Sequence, residues 1–90
     1  MEAEQRQARS RKRQEIQKRI TALEKEIAEL EKQEKELTAE LEKPESYAGG
    51  RAMLINRELM HIHDRLPVAT AEWEAAGTEL AEFEAEASAR

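Results

Sequence analysis

Two heptad series of apolar residues, separated by a Pro/Gly-containing segment, limit what this chain can fold into. In the first series the apolar spacing alternates between 4 and 3, with Glu34 as the one polar member. The apolar members are Ile16, Ile20, Leu23, Ile27, Leu30, Leu37 and Leu41. The second series alternates without a gap through Ile55, Leu59, Ile62, Leu66, Ala69, Trp73, Ala76, Leu80, Phe83 and Ala87. Sustained a/d spacing of this kind predicts helices that pack as a coiled coil.

The connection between the two series predicts how the helices are arranged. It contains Pro44 and a Gly49-Gly50 pair, which are strong turn signals. A short connection between long helices favours antiparallel neighbours. We therefore predict an all-α fold, an antiparallel two-helix coiled-coil hairpin that forms a single domain over residues 1–90. Its parts are expected at about 5–43 for arm one, 44–49 for the loop and about 50–87 for arm two.

The register of the hairpin follows from the residue numbers, because facing positions in an antiparallel pair have a constant sum. A sum of 96 places the apex at residue 48, inside the loop, and pairs Ile16 with Leu80 and Leu37 with Leu59. It also places Trp73 in the core between the small side chains of Ala69 and Ala76. Three flanking pairs with attractive partners are expected: Arg19 with Glu79, Lys12 with Glu86, and Glu31 with His63. Two flanking pairs would be like-charged: Glu26 with Glu72, and Glu40 with Glu58.

Single polar and special residues in the arms admit more than one interpretation. Pro67 lacks an amide hydrogen and is expected to bend arm two without breaking it. Glu34 either specifies the register, as polar a/d residues can, or extends to solvent, which we favour. Tyr47 either stacks on a nucleic-acid base or, as we favour, packs over the end of the apolar interface.

Composition and motif content argue against catalysis. The 90 residues include no cysteine, so the chain has no disulfide and no thiolate metal site. There is no Gly-rich phosphate loop and no nucleophile elbow, and a two-helix rod offers no deep pocket. His61 and His63 point about 200° apart on a helix, so they are not expected to share a metal. We predict no catalytic, cofactor-binding or metal-binding residue, and hence no enzyme activity.

The same sequence shows no sign of membrane insertion or secretion. No apolar run approaches the ~20 residues of a membrane span. The N-terminal segment is too highly charged for a secretory signal. A cytoplasmic protein without a membrane partner is the expectation.

Charge is distributed unevenly along the chain, which has a net charge of -5. Residues 1–19 carry seven basic and three acidic side chains, whereas 20–90 carry eight basic and 17 acidic ones. A basic helical end can hold phosphates of nucleic acid. The residues predicted to do so are Arg9, Arg11, Lys12, Arg13, Lys18 and Arg19. Two alternatives are neutralisation of this end by acidic residues of arm two, and a disordered, solvated tail.

Three short motifs occur in order within heptad arms headed by a basic stretch: the turn Pro44-Glu45-Ser46-Tyr47, the block Asn56-Arg57-Glu58-Leu59 and the pair Trp73-Glu74. Together they resemble the C-terminal domain of ABC-F ATPases, the Uup-type ATP-binding cassette proteins that lack membrane spans. The resemblance covers roughly residues 10–85. The chain departs from the family at Gly49-Gly50 and Pro67, and it has neither a Walker A motif nor an LSGGQ-like signature.

The resemblance implies a non-catalytic accessory domain of a soluble ATPase. ATP and Mg²⁺ would be bound by the cassettes of the parent protein, and this chain would bind no cofactor. Its implied partners are those cassettes and nucleic acid, either DNA or ribosomal RNA. The competing hypothesis is a structural or protein-interaction coiled coil without nucleic-acid binding, with weak homodimerisation through its a/d interface as a further expectation.

Overall fold

The chain forms an extended antiparallel hairpin of two long helices. A computed structural model describes residues 2–88. Helix α1 spans Glu2–Leu41 and helix α2 spans Arg51–Ser88, with a 3₁₀ turn at Pro44–Tyr47 between them. The molecule measures 67 × 18 × 15 Å, so it is a rod two helices wide. The predicted all-α hairpin is confirmed, and neither helix contains an apolar stretch long enough to cross a membrane within the described residues.

Two groups of apolar side chains hold the helices together. The group nearer the apex contains Leu30, Leu37, Ile55 and Ile62, and Leu41, Leu59 and Leu66 pack against it. The group nearer the open end contains Ile16, Ile20 and Ala76, and Leu80 and Phe83 pack against it. Every one of these residues belongs to the two heptad series. The ion pair between Arg19 and Glu79 is the one that the predicted register requires.

The apex is built around Glu40 and Ser46. Lys43 is extended because the residue before a proline avoids the helical region, and α1 therefore ends at Leu41. Ser46 is 4% exposed, and its hydroxyl donates to the backbone carbonyl of Glu40. The same carbonyl oxygen accepts the backbone N–H of Lys43 at 3.1 Å. These two bonds satisfy an oxygen that has no partner four residues on, where Pro44 lacks an amide hydrogen. Gly49 and Gly50 have φ of 66° and 76°, a conformation that favours glycine.

Arm two remains helical through Pro67, as expected from the continuous heptad spacing. Proline has no amide hydrogen, so the carbonyl oxygen of His63 receives no helical hydrogen bond at this position. Burial of Ile62 and Ala69 on either side, at 2% and 0% exposure, keeps the helix against α1. The apolar interface therefore stabilises the helix across the missing bond.

The prediction that Trp73 fills the core is wrong. The Trp73 side chain is 39% exposed, whereas Ala69 and Ala76 on either side are 0% and 2% exposed. The interface closes around the two small buried side chains, and the larger indole lies at its edge. Tyr47, expected to pack over the end of the interface, is 70% exposed. Ser46, which sequence reasoning passed over, occupies the buried position of the turn instead.

Candidate nucleic-acid interface

The basic residues predicted to contact phosphates all lie on the first five turns of α1, at the open end of the hairpin. This segment is helical from Glu2 onward, so the interpretation as a disordered tail is wrong for the described residues. Five of the six side chains are exposed and Arg9 is half-buried. The exposed ones are Arg11, Lys12, Arg13, Lys18 and Arg19. We call these six residues the basic end.

Two members of the basic end are held by α2. Arg19 donates a hydrogen bond to the carboxylate of Glu79. The Lys12 ammonium lies 5.4 Å from the centre of the Phe83 ring, a cation–π arrangement in place of the predicted pair with Glu86. Neutralisation by arm two is therefore partial, since among the described residues only Arg19 of the basic end is paired with a carboxylate of α2.

Two others line a shallow groove between the helices. Arg9 and Arg13 lie along it on the α1 side, and Phe83, Glu84 and Ala87 lie along it on the α2 side. In the heptad repeat Arg9 and Arg13 take the places that apolar residues hold nearer the apex. The apolar interface is thus replaced at this end by long cationic side chains, with the carboxylates of Glu84 and Glu86 nearby.

Arg11 and Lys18 occupy the outer row of α1, directed away from α2. They are seven residues apart, which separates them by about 10.5 Å along the helix. Among the described residues, no ion pair involves Arg11, Arg13 or Lys18. Arg9 and Lys12 form no ion pair either, but Arg9 is half-buried and Lys12 lies over Phe83. Arg11, Arg13 and Lys18 are therefore the members of the basic end most available to an external anion.

Away from the basic end, further ion pairs link the two helices. Arg65 contacts Glu26 with two hydrogen bonds, of 2.8 and 2.7 Å, and also lies 3.4 Å from Glu72. The expected repulsion between Glu26 and Glu72 is therefore offset by an arginine between them. Hydrogen bonding from Arg65 lowers the pKa of Glu26, although burial opposes the shift, and the paired carboxylate in turn raises the pKa of Arg65.

Near the apex the carboxylate of Glu40 is also held by an arginine of α2. Arg51 donates hydrogen bonds of 2.7 and 3.0 Å to its two carboxylate oxygens. These bonds lower the pKa of Glu40, with the charge of Lys43 as a smaller contribution. The predicted like-charged pair of Glu40 with Glu58 is thus relieved by Arg51. The sequence analysis did not predict these two pairs because it compared only directly facing residues. Arg65 and Arg51 each lie seven residues before the facing glutamate, Glu72 or Glu58, and their long side chains still reach α1.

His63 pairs with Glu34, not with Glu31 as predicted. Its Nε2 lies 2.9 Å from a carboxylate oxygen of Glu34, whose side chain is 36% exposed. Glu34 therefore extends from the a/d interface to solvent, the interpretation we favoured. Within residues 2–88 no group of three or more His, Asp or Glu side chains is arranged to hold a metal ion. The histidine and the carboxylates act here as interhelical contacts.

The geometry of the basic end suits non-specific contact with a phosphate backbone. Arg11 and Lys18 lie on the convex, solvent-facing side of α1, and Arg13 lies at the edge of the groove. No described element encloses a small molecule there. Comparison of the chain with protein-family models, curated proteins and solved structures finds no match.

Proposed function

We propose that this hairpin is a non-catalytic accessory domain that binds nucleic acid through phosphate contacts made by the basic end. The observation that carries the proposal is that Arg11, Arg13 and Lys18 are exposed and have no ion-pair partner among the described residues. Cations on a convex helix contact the phosphates of a duplex without reading its bases. Affinity should then depend on salt and vary little with nucleic-acid sequence.

We further propose that the domain belongs to a soluble ABC-F ATPase, whose cassettes would bind ATP and Mg²⁺. This part rests on the turn at 44–47, the block at 56–59 and the Trp73-Glu74 pair. The coding sequence that precedes residue 1 in the source genome tests it. Two upstream cassettes with Walker A motifs, in the same reading frame, would support the proposal. A stop codon immediately upstream would contradict it.

A charge-reversal pair tests the nucleic-acid site directly. One variant changes Arg11, Lys12 and Arg13 to Glu, and the matched control changes Lys25, Lys32 and Lys35 of the same helix to Glu. Both variants change the net charge by the same amount, so a difference in their affinity for nucleic acid shows that the position of the charges matters. We expect the first to weaken binding to duplex DNA and structured RNA by roughly 10²-fold, and the control by no more than a few fold.

A neutral double variant tests the same site in case the charge-reversal variant does not fold. Arg11→Gln with Lys18→Gln removes two cations that make no ion pair with α2, so helix content by circular dichroism should not change. Binding should still fall by roughly tenfold at low salt. Equal affinity of parent, neutral variant and triple variant would mean that the basic end is not the site. The structural or interaction module would then be the better account.

A further inference from the structure

The outer face of α2 carries apolar side chains that the hairpin does not bury. Met53 and Met60 are 67% and 66% exposed, and Leu54 and Val68 are 49% and 47% exposed. Pro67 lies on the same face and is also exposed. We call this set, together with His61, the α2 stripe. The stripe makes no contribution to the two groups of core residues. Its His61 edge, with Arg57, borders a shallow groove that is shared with Gln33 and Glu36 of α1.

The α2 stripe has a regular layout around two charges. Met53, Met60 and Pro67 recur every seven residues on one side of the face, and Leu54, His61 and Val68 recur every seven on the other. Between the two rows run Arg57 and Asp64, both exposed. Neither has an ion-pair partner in the part of the chain that the structure describes.

We propose that the α2 stripe binds a second copy of this chain, with the two α2 helices antiparallel about a two-fold axis between residues 60 and 61. In an antiparallel pair the row that contains Met60 meets the same row of the other copy, and so does the row that contains His61. The central row of Arg57 and Asp64 then faces the central row of the other copy. The arrangement brings Arg57 of each copy against Asp64 of the other. The apolar contacts are Met60 with Met60, Met53 with Pro67, and Leu54 with Val68, while His61 meets His61.

Charge complementarity selects this occupant and this direction. A parallel pairing would place Arg57 against Arg57 and Asp64 against Asp64, which is repulsive. The antiparallel register instead forms two identical ion pairs, one on each side of the axis. A two-fold interface requires such self-complementarity, because the same surface is used by both copies. The opposed charges also specify the register, while burial of the apolar rows supplies the attraction.

The proposed dimer is elongated. About twenty residues of each α2 overlap, or roughly 30 Å, and each hairpin is 67 Å long. The dimer would therefore extend roughly 100 Å. The two basic ends would lie at opposite ends of the rod and stay exposed. Self-association through the α2 stripe is thus independent of the nucleic-acid proposal, and it differs from the association through the a/d interface expected from the sequence.

Sedimentation equilibrium of the full chain tests the dimer. An overlap of about twenty residues along one helix face makes a small interface, so weak association is expected, over roughly 10 to 500 µM. The weight-average mass should rise from 10.3 kDa towards twice that value. Met60→Glu places like charges on the two-fold axis and should keep the chain monomeric. Because Met60 is exposed in the hairpin, the helix content of the Met60→Glu variant should equal that of the parent. Lys25→Glu, on α1, is the matched control and should dimerise as the parent does.

Two charge reversals give the sharper test. Arg57→Asp and Asp64→Arg each create two repulsive contacts per dimer, and each should raise the dissociation constant at least tenfold. An equimolar mixture of the two variants should form a heterodimer with near-parental affinity, because both contacts become attractive again. A monomeric parent up to the highest concentration would overturn the proposal. So would a mixture that associates no better than either variant alone.

Discussion

Arg65 of α2 forms a two-point ion pair with Glu26 of α1, with hydrogen bonds of 2.8 and 2.7 Å. The two residues are 39 positions apart in sequence. Both lie at the edge of the a/d interface, where Arg65 also reaches Glu72. An arginine with this geometry turns an otherwise repulsive pair of carboxylates into a cross-link between the helices.

Arg65→Lys should lower the melting temperature, because an ammonium cannot make the two parallel hydrogen bonds that the guanidinium makes. Thermal unfolding followed by circular dichroism measures the change. The matched control is Arg57→Lys, at an exposed site without an ion pair in the described hairpin. At a concentration where the chain is monomeric, the control should leave the melting temperature unaltered. Equal effects of the two changes would contradict a specific role for Arg65.

Stability should also fall in acid because of Glu26 and Glu40. Their pKa values are lower in the folded chain than their ordinary value of 4.5. A carboxyl group with a lowered pKa stabilises the fold above its unfolded pKa, and that contribution is lost as pH falls through the folded value. Denaturant unfolding between neutral pH and about pH 3 measures the loss. Glu26→Gln with Glu40→Gln should reduce the dependence below pH 4.5, and an unchanged profile would contradict the assignment.

Gly77→Ala should stabilise the hairpin by about 0.5–1 kcal/mol. A methyl group at this helical position would meet no other atom within 4 Å, and alanine restricts the unfolded chain. Urea unfolding measures the change. Gly50→Ala is the control: it also meets no atom, but φ of 76° strains alanine, so it should destabilise by about 1–2 kcal/mol. Destabilisation by Gly77→Ala would contradict the open space that surrounds this position.

Ile62→Ala should cost about 2–5 kcal/mol of unfolding free energy, since its side chain is 2% exposed between the helices. Met60→Ala is the matched comparison two residues away. Met60 is 66% exposed, so its truncation should change the stability of the monomer by no more than about 0.5 kcal/mol. Unfolding of both variants at low concentration measures the difference. Similar costs would contradict the assignment of inner and outer faces of α2.

Much of the fold could be predicted because one pattern determines it. The a/d spacing identifies both helices, and the constant-sum rule correctly anticipates the Arg19–Glu79 pair. Trp73 could not be placed in this way. The heptad rule treats every a/d position alike, whereas the interface closes around the buried alanines at 69 and 76 and leaves the larger indole at its edge.

The charged contacts were predicted less well than the apolar ones. Arg65, Arg51 and His63 reach partners other than those directly opposite, because a long side chain spans more than one facing position. At the basic end, sequence alone could not separate free cations from paired ones. The structure divides them by direction: Arg19 and Lys12 point towards α2, whereas Arg11 and Lys18 lie on the outer row.

Salt dependence of nucleic-acid binding tests the central claim most directly. Fluorescence anisotropy with a labelled duplex DNA and a labelled structured RNA would be recorded at about 50 and 200 mM salt. Three to four phosphate contacts predict that affinity falls roughly 40- to 150-fold between these conditions. Absence of binding to either ligand at 50 mM, or binding that salt does not weaken, would contradict phosphate contact by the basic end.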